Sequence, residues 1–314
     1  MRSAPFGVIE ERVSKVLVEV EPRERSVTIG ERLPGIKQLL RLIFATCLLA
    51  LTLTIDVAIA PPWLATEAVV PPAAGEIAAR NHLCLQQLEA GNYREAISDC
   101  TAVIAIAPDD AAARLHRGLA RYRLSDHQEA IADFEIASAS AAHRLPALYN
   151  RGLAYSALGD SDRALFDLSQ ALDFAARNSM PSRGERAAIL TDRGIVYWQL
   201  GRYEQARQDF TNAIALDRGS SRALYNRGCI CHLLADYRAA VSDLTRAIPH
   251  ASDRAPIYVA RGLARHRLGD DEAALGDLQR GAIAYRDSGR QEASDRVLEL
   301  IRQLELANHW VAVG

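Results

Sequence analysis

The 314-residue sequence contains only two lysines, Lys15 and Lys37, so the chain beyond residue 37 has none. This absence excludes a Schiff-base lysine and a phosphate-loop lysine from most of the chain. Aromatic residues make up only 6%, which disfavours a β-sandwich and favours helices packed through small residues. The 37 basic and 39 acidic residues nearly cancel, whereas nucleic-acid-binding proteins usually have a basic excess.

Motifs for catalysis and metal binding are also missing from the sequence. The five cysteines are too few for a disulfide framework, and none forms a Cys-x-x-Cys pair. The eight histidines show no metal-ligand spacing, and there is no GxSxG, phosphate loop or GxGxxG motif. We therefore predict no catalytic residue, no metal, no cofactor and no nucleic-acid partner.

The amino-terminal part of the chain carries one short apolar run. Residues 42–55 are uncharged and largely apolar, with Lys37 and Arg41 before them and Asp56 after them. Fourteen such residues fit a signal-peptide core better than a membrane span, which needs about 20. Segment 36–60 is therefore predicted to be a signal peptide, cleaved after Ala60, or an uncleaved membrane anchor. In both cases the positive flank keeps the start of the chain cytoplasmic, and the remainder is exported.

Two further segments flank this run. Residues 1–35 form a charged leader, or they precede a true start codon near Leu33, because a long charged leader before an export signal is unusual. Residues 61–76 are rich in proline and alanine and are predicted to be an extended linker.

The rest of the chain is repetitive. The segments at 91–100, 125–134, 159–168, 201–210, 235–244 and 269–278 superpose on one another, and a partner segment such as LYNRG (148–152 and 224–228) precedes each. The small residue of the partner segment recurs at Cys84, Gly118, Gly152, Gly194, Gly228 and Gly262. The period is 34 residues, with eight extra residues between the third and fourth repeats.

This pattern resembles the tetratricopeptide repeat (TPR), a helix–turn–helix unit of 34 residues. The residues that match are the small residue at position 8, alanine at position 20 in all six repeats, and Cys, Phe or Leu at position 24. The resemblance implies an all-α, right-handed superhelical solenoid of six repeats over residues 77–286, starting near residues 77, 111, 145, 187, 221 and 255. Residues 287–314 are predicted to form a capping helix and tail, with Ser288 and Gln291 as a capping box.

The repeats carry a regular charge pattern. Position 7 is arginine in repeats 2–6, and position 23 is aspartate in every repeat. In an antiparallel helix pair these positions face each other, and guanidinium and carboxylate groups match as bidentate partners. We predict a structural ion-pair ladder, with a polar binding stripe as the alternative. Its members are Arg117, Asp133, Arg151, Asp167, Arg193, Asp209, Arg227, Asp243, Arg261 and Asp277.

The resemblance also implies a binding groove. In this family the first helices line the concave face, with positions 2, 5, 6, 9, 12 and 13 pointing into it. Tyrosine, tryptophan and asparagine at these positions suit peptide recognition. The predicted groove residues are Tyr122, Tyr149, Asn150, Asp192, Trp198, Tyr225, Asn226, His232 and His266. The Lys/Asn clamp that one subclass uses for chaperone carboxylates is excluded because the lysines are missing.

Cys84 and Cys100 occupy the facing positions 8 and 24 of the first repeat. In an exported protein they could form a disulfide that holds the terminal helix pair together. The alternative is two free, buried thiols acting as small hydrophobic residues.

The function predicted from these features is a scaffold that binds a protein or peptide segment in the concave groove. We expect it to act in assembly of an envelope or lumenal complex, as in the exported or membrane-anchored TPR proteins of bacteria, cyanobacteria among them. The alternative is an adaptor or regulatory subunit of an enzyme whose catalytic chain is separate. Self-association through the solenoid ends and membrane contact through an uncleaved anchor are further expected partnerships.

Overall fold

The computed structural model describes residues 74–178 and 182–313, which belong to one compact unit. The predicted leader (1–35), apolar segment (36–60) and nearly all of the linker (61–76) lie outside the described residues. In the part of the chain that is described, no helix is both long and apolar enough to cross a membrane. The described residues contain no strand and form thirteen α-helices: α1 Ala74–Ala90, α2 Tyr93–Ile106, α3 Ala111–Arg123, α4 His127–Ala137, α5 Arg144–Ala157, α6 Ser161–Arg177, α7 Arg183–Gln199, α8 Tyr203–Leu216, α9 Ser221–Leu233, α10 Tyr237–Ala247, α11 Ala255–Arg267, α12 Asp271–Asp287 and α13 Gln291–Val313.

The helices pair in chain order. Helices α1 and α2 form the first repeat, α11 and α12 form the sixth, and each second helix packs on the first helix of the next repeat. Helix α13 packs against α12 at the carboxyl-terminal end of the stack. One such pair cannot bury its apolar face alone, so stacking supplies the continuous core.

A left-handed residue ends the first helix of each repeat. Glycine fills this position in four repeats, with φ between 71° and 82°. In repeats 2 and 5 the same position is held by Ser125 and Ala235, with φ of 69° and 59°. Residues with a Cβ are uncommon in this region, so two of the six turns are sterically less favourable than the others.

The aspartates that follow these turns do not all cap the next helix. The side chains of Asp160 and Asp236 accept hydrogen bonds from the third backbone N–H beyond them, but those of Asp126 and Asp270 do not. A capping box is present elsewhere, where Ser182 and Glu185 bond each other's backbone N–H at the start of α7.

The predicted capping box at Ser288 and Gln291 is wrong. Ser288 terminates α12, and its hydroxyl donates to the carbonyl oxygen of Tyr285. Helix α13 does begin at Gln291, and its apolar side packs into a cluster that includes Leu278, Tyr285, Val297 and Ile301. The capping helix is therefore real, but a different local arrangement starts it.

The core of every repeat is built on small residues. The alanines at position 20 are fully buried in all six: Ala96, Ala130, Ala164, Ala206, Ala240 and Ala274. At position 8, glycine brings the first helix directly onto the residue at position 24. A Cβ placed on Gly194 would lie 2.7 Å from the ring of Phe210, which is closer than side chains tolerate.

We expect Gly194→Ala to destabilise the protein by about 1–3 kcal/mol, because the added methyl overpacks the helix pair. Gly276→Ala is the matched control, since Gly276 is also helical and nothing lies within 4 Å of its Cβ position. Gly276→Ala should stabilise by roughly 0.5–1 kcal/mol through helix propensity alone. Urea titrations followed by circular dichroism measure both changes, and equal shifts for the two variants would contradict the close-contact explanation.

Candidate functional site

The first helices line the inner side of the stack. Each contacts the first helix of the next repeat, while successive second helices in the described part of the chain make no comparable contacts with each other. The stack therefore curves with the first helices inside. We call the surface formed by positions 2, 5, 6, 9, 12 and 13 of these helices the inner wall.

A polar cluster on the inner wall joins three successive repeats. The Tyr149 hydroxyl of repeat 3 donates to Oδ2 of Asp192 in repeat 4, at 2.5 Å. The guanidinium of Arg222 in repeat 5 donates to Oδ1 of the same carboxylate and forms an ion pair with it. Asp192 is buried, and a buried charge needs partners. These two contacts satisfy both of its oxygens, and Arg222 neutralises its charge.

This cluster makes ionisation of the nearby phenols still less favourable. Burial, followed by the negative charge of Asp192, raises the pKa of Tyr149 well above its usual value. The pKa of Tyr122 in repeat 2 is raised by the same two causes in the same order. Both tyrosines therefore act as neutral hydrogen-bonding groups at any physiological pH.

The other predicted groove residues are all buried or partly buried. Tyr225 and Asn226 are buried along with Asp192, and the remaining six are partly buried. The Asn150 amide donates to the carbonyl oxygen of Pro146 on its own helix. Three further ring residues make contacts within their own repeats: Tyr122 with His127, His232 with Tyr237, and His266 with Asp271. Only Tyr149 and Asp192 among the nine are brought into direct contact with each other in the described hydrogen bonds.

The arginines at position 7 and aspartates at position 23 meet within each repeat. In repeats 2–6 the Nε and Nη2 atoms of the arginine donate to the two carboxylate oxygens at 2.7–2.9 Å. The five aspartates are buried, so each pair joins the two helices of its repeat through a desolvated bidentate contact.

Two sets of residues around the ladder were not identified from the sequence. The first is a hydroxyl at position 25 of the preceding repeat, which accepts from Nη1 of the arginine at 3.0–3.1 Å and so links neighbouring repeats. Its members are Thr101, Ser169, Thr211 and Thr245. Their recurrence at one position was a usable signal, although repeat 2 has Glu135 there.

The second set adds further arginines to three of the aspartates. Arg114 and Arg121 join Arg117 on Asp133, and Arg265 and Arg280 join Arg261 on Asp277. Arg246 joins Arg227 on Asp243, at 3.6 Å. Position 11 is arginine only in repeats 2 and 6, which explains why the clusters of three arginines form on Asp133 and Asp277.

The first repeat has Leu83 at position 7 and thus no ladder arginine. There the neighbouring positions 8 and 24 carry Cys84 and Cys100, which are joined by a disulfide with their Cα atoms 5.3 Å apart. Cys229 and Cys231 are free and buried, and burial raises the pKa of the Cys229 thiol to about 12. Among the described residues no group of three or more potential ligands is arranged to hold a metal ion.

Two family models described as tetratricopeptide repeat match the chain, one over residues 143–219 and the other over 85–144 and 191–256. Together they span residues 85–256, which is more than half of the chain. This protein belongs to the tetratricopeptide repeat family.

Solved structures agree with this assignment at the level of the fold. A TPR protein from Parabacteroides merdae is 18% identical, with a TM-score of 0.53, covering 73% of this chain and 93% of its own. PilF of Pseudomonas aeruginosa is also 18% identical, with a TM-score of 0.58 and coverage of 69% and 96%. The carboxyl-terminal part of a TPR protein from Cytophaga hutchinsonii is 16% identical, with a TM-score of 0.58 and coverage of 73% and 88%. No curated protein sequence matches this TPR protein significantly.

Proposed function

We propose that this TPR protein is an interaction scaffold that binds a protein or peptide segment along its inner wall. TPR domains generally mediate protein–protein interactions, and this chain has the family's repeat over more than half its length. The observation that carries the proposal is the row of partly buried aromatic and polar side chains held in fixed positions on consecutive first helices. Tyr122, Tyr149 and Trp198 provide contact area that costs little conformational entropy on binding.

The Tyr149–Asp192–Arg222 cluster supports this function by fixing the wall before a partner arrives. A hydrogen bond and an ion pair across three repeats limit the relative movement of their first helices. A preorganised surface loses less entropy on binding, so more of the contact energy appears as affinity.

We further propose that the scaffold acts outside the cytoplasm, in assembly of an envelope or lumenal complex. The apolar segment at 42–55 with its preceding positive charges supports export or anchoring. The Cys84–Cys100 disulfide supports an oxidising compartment, because cytosolic thiols are usually kept reduced. Amino-terminal sequencing of the native protein from fractionated cells tests the compartment, the cleavage and the start site together.

Site-specific photocrosslinking in the native cells tests the binding function. A benzoylphenylalanine replaces Tyr122 on the inner wall or, as the matched control, Phe166, which is 61% exposed on the second helix of repeat 3. We expect a discrete adduct from position 122 only. Equal adducts at both positions, or none at 122, would contradict an inner-wall function. Identification of the adduct distinguishes an assembly component from an enzyme chain or a second copy of this protein.

A further inference from the structure

The inner wall has an apolar line along its centre. Position 9 is aliphatic or cysteine in every repeat: Leu85, Leu119, Leu153, Ile195, Cys229 and Leu263. Residues four apart share a helix face, so Leu153 lies one turn beyond Tyr149 on the side that carries the inter-repeat polar cluster. Position 9 is thus at the middle of the inner wall.

Exposure divides this line into two halves. Ile195, Cys229 and Leu263 are buried, whereas Leu85, Leu119 and Leu153 are only partly buried. The accessible part, which we call the leucine strip, therefore consists of these three leucines in repeats 1–3. It contains one apolar side chain per repeat.

Two opposite charges flank the leucine strip. Glu89 in repeat 1 and Arg123 in repeat 2 are exposed at the same position, 13, and the described residues provide no ion-pair partner for either. Asp192, a buried charge on the inner wall, is neutralised by Arg222. His116 on the same wall has a pKa lowered by burial and by His143, with Asp110 and Glu89 opposing this shift, so it adds no charge at neutral pH. The strip is therefore apolar with one acidic and one basic group beside it.

The spacing of the strip favours a helical partner over an extended one. First helices in contact lie about 8–10 Å apart, which sets the step between successive leucines. An α-helix returns to the same face after seven residues with a rise of about 10.5 Å. An extended chain presents same-face side chains about every 6.6 Å and falls out of step with the repeats. Two steps across three repeats correspond to a helix of roughly 14 residues.

We propose that the leucine strip binds an amphipathic helix of a partner protein, with apolar residues at heptad spacing along the strip. A basic residue of this helix pairs with Glu89 and an acidic residue, one heptad away, pairs with Arg123. This inference rests on the proposed scaffold function and specifies its partner class. An extended peptide would not match the spacing of the strip, and a purely acidic peptide would meet Glu89 as well as Arg123.

Selection from a phage-displayed library of random peptides, about 20 residues long to allow five helical turns, tests the proposal on the full-length chain. We expect enriched sequences with apolar residues at i, i+3 or i+4, and i+7. A synthetic enriched peptide should lose affinity about tenfold for Leu119→Asp, because a charge then lies under its apolar face. Ile136→Asp is the control, since Ile136 is 37% exposed on a second helix, and it should leave the affinity unchanged.

A charge exchange avoids any effect of strip variants on folding, because Glu89 and Arg123 are both exposed. The double variant Glu89→Arg/Arg123→Glu should bind the enriched peptide about fivefold more weakly, and a peptide with its two charges exchanged should restore the affinity. If the selected peptides depend on the inner wall but are acidic or extended, this inference is wrong and the scaffold function stands. Failure to obtain any peptide that depends on the inner wall would overturn both.

Discussion

Asp277→Ala is expected to lower the free energy of unfolding by about 3–5 kcal/mol. Asp277 is fully buried and accepts both donors of a bidentate contact from Arg261, itself 7% exposed. Removing the Asp277 carboxylate leaves the Arg261 guanidinium buried without a counter-charge, next to the positively charged Arg265. Chemical denaturation followed by circular dichroism measures the loss.

Two controls separate the buried charge from the packing. Arg280→Ala removes an arginine that touches the same carboxylate but is 62% exposed, and it should cost less than about 1 kcal/mol. The double variant Arg261→Met/Asp277→Leu removes both charges and should recover most of the stability, because an apolar pair carries no desolvation penalty. An Asp277→Ala protein as stable as the parent would show that the ladder contributes nothing.

Reduction of the Cys84–Cys100 disulfide is expected to destabilise the first repeat by about 3 kcal/mol, since the bond closes a short loop in the unfolded chain. The effect should be largest in α1 and α2 and should fade beyond α3, because repeats in a solenoid contact only their neighbours. Hydrogen exchange with and without reductant should show amide protection in α1 and α2 falling roughly 100-fold.

The free thiols supply the control for this experiment. A Cys84→Ser/Cys100→Ser protein should already show the lower protection and should not respond to reductant. A Cys229→Ser/Cys231→Ser protein should respond as the parent does, since both thiols are buried and unpaired with each other. Uniform loss of protection over all repeats would contradict a local role for the bond.

The repeat architecture was accessible from the sequence because its determinants are local and periodic. Alanine at position 20 and glycine at position 8 mark close helix contacts, and the structure places both between helices. The sixteen-residue separation of arginine and aspartate also follows from one helix pair. These features can be predicted from a single repeat, without knowing how the repeats stack.

Features that cross between repeats were less accessible. The Tyr149–Asp192–Arg222 cluster depends on how repeat 4 packs after the eight-residue insertion, which a periodic reading does not fix. The burial of Tyr225 and Asn226 depends on their surroundings in the folded chain and cannot be read from a helical wheel. Ser288 was misassigned because its hydroxyl binds the helix before it instead of the helix after it.

The disulfide in repeat 1 makes the two ends of the stack resist a pulling force differently. A force applied to the two termini cannot draw out the 16-residue interval between Cys84 and Cys100 while the sulfur bridge is intact. Repeats 2–6 have only noncovalent contacts to resist the same load. Under tension the chain would therefore unfold first in repeats 2–6 and keep its amino-terminal helix pair closed.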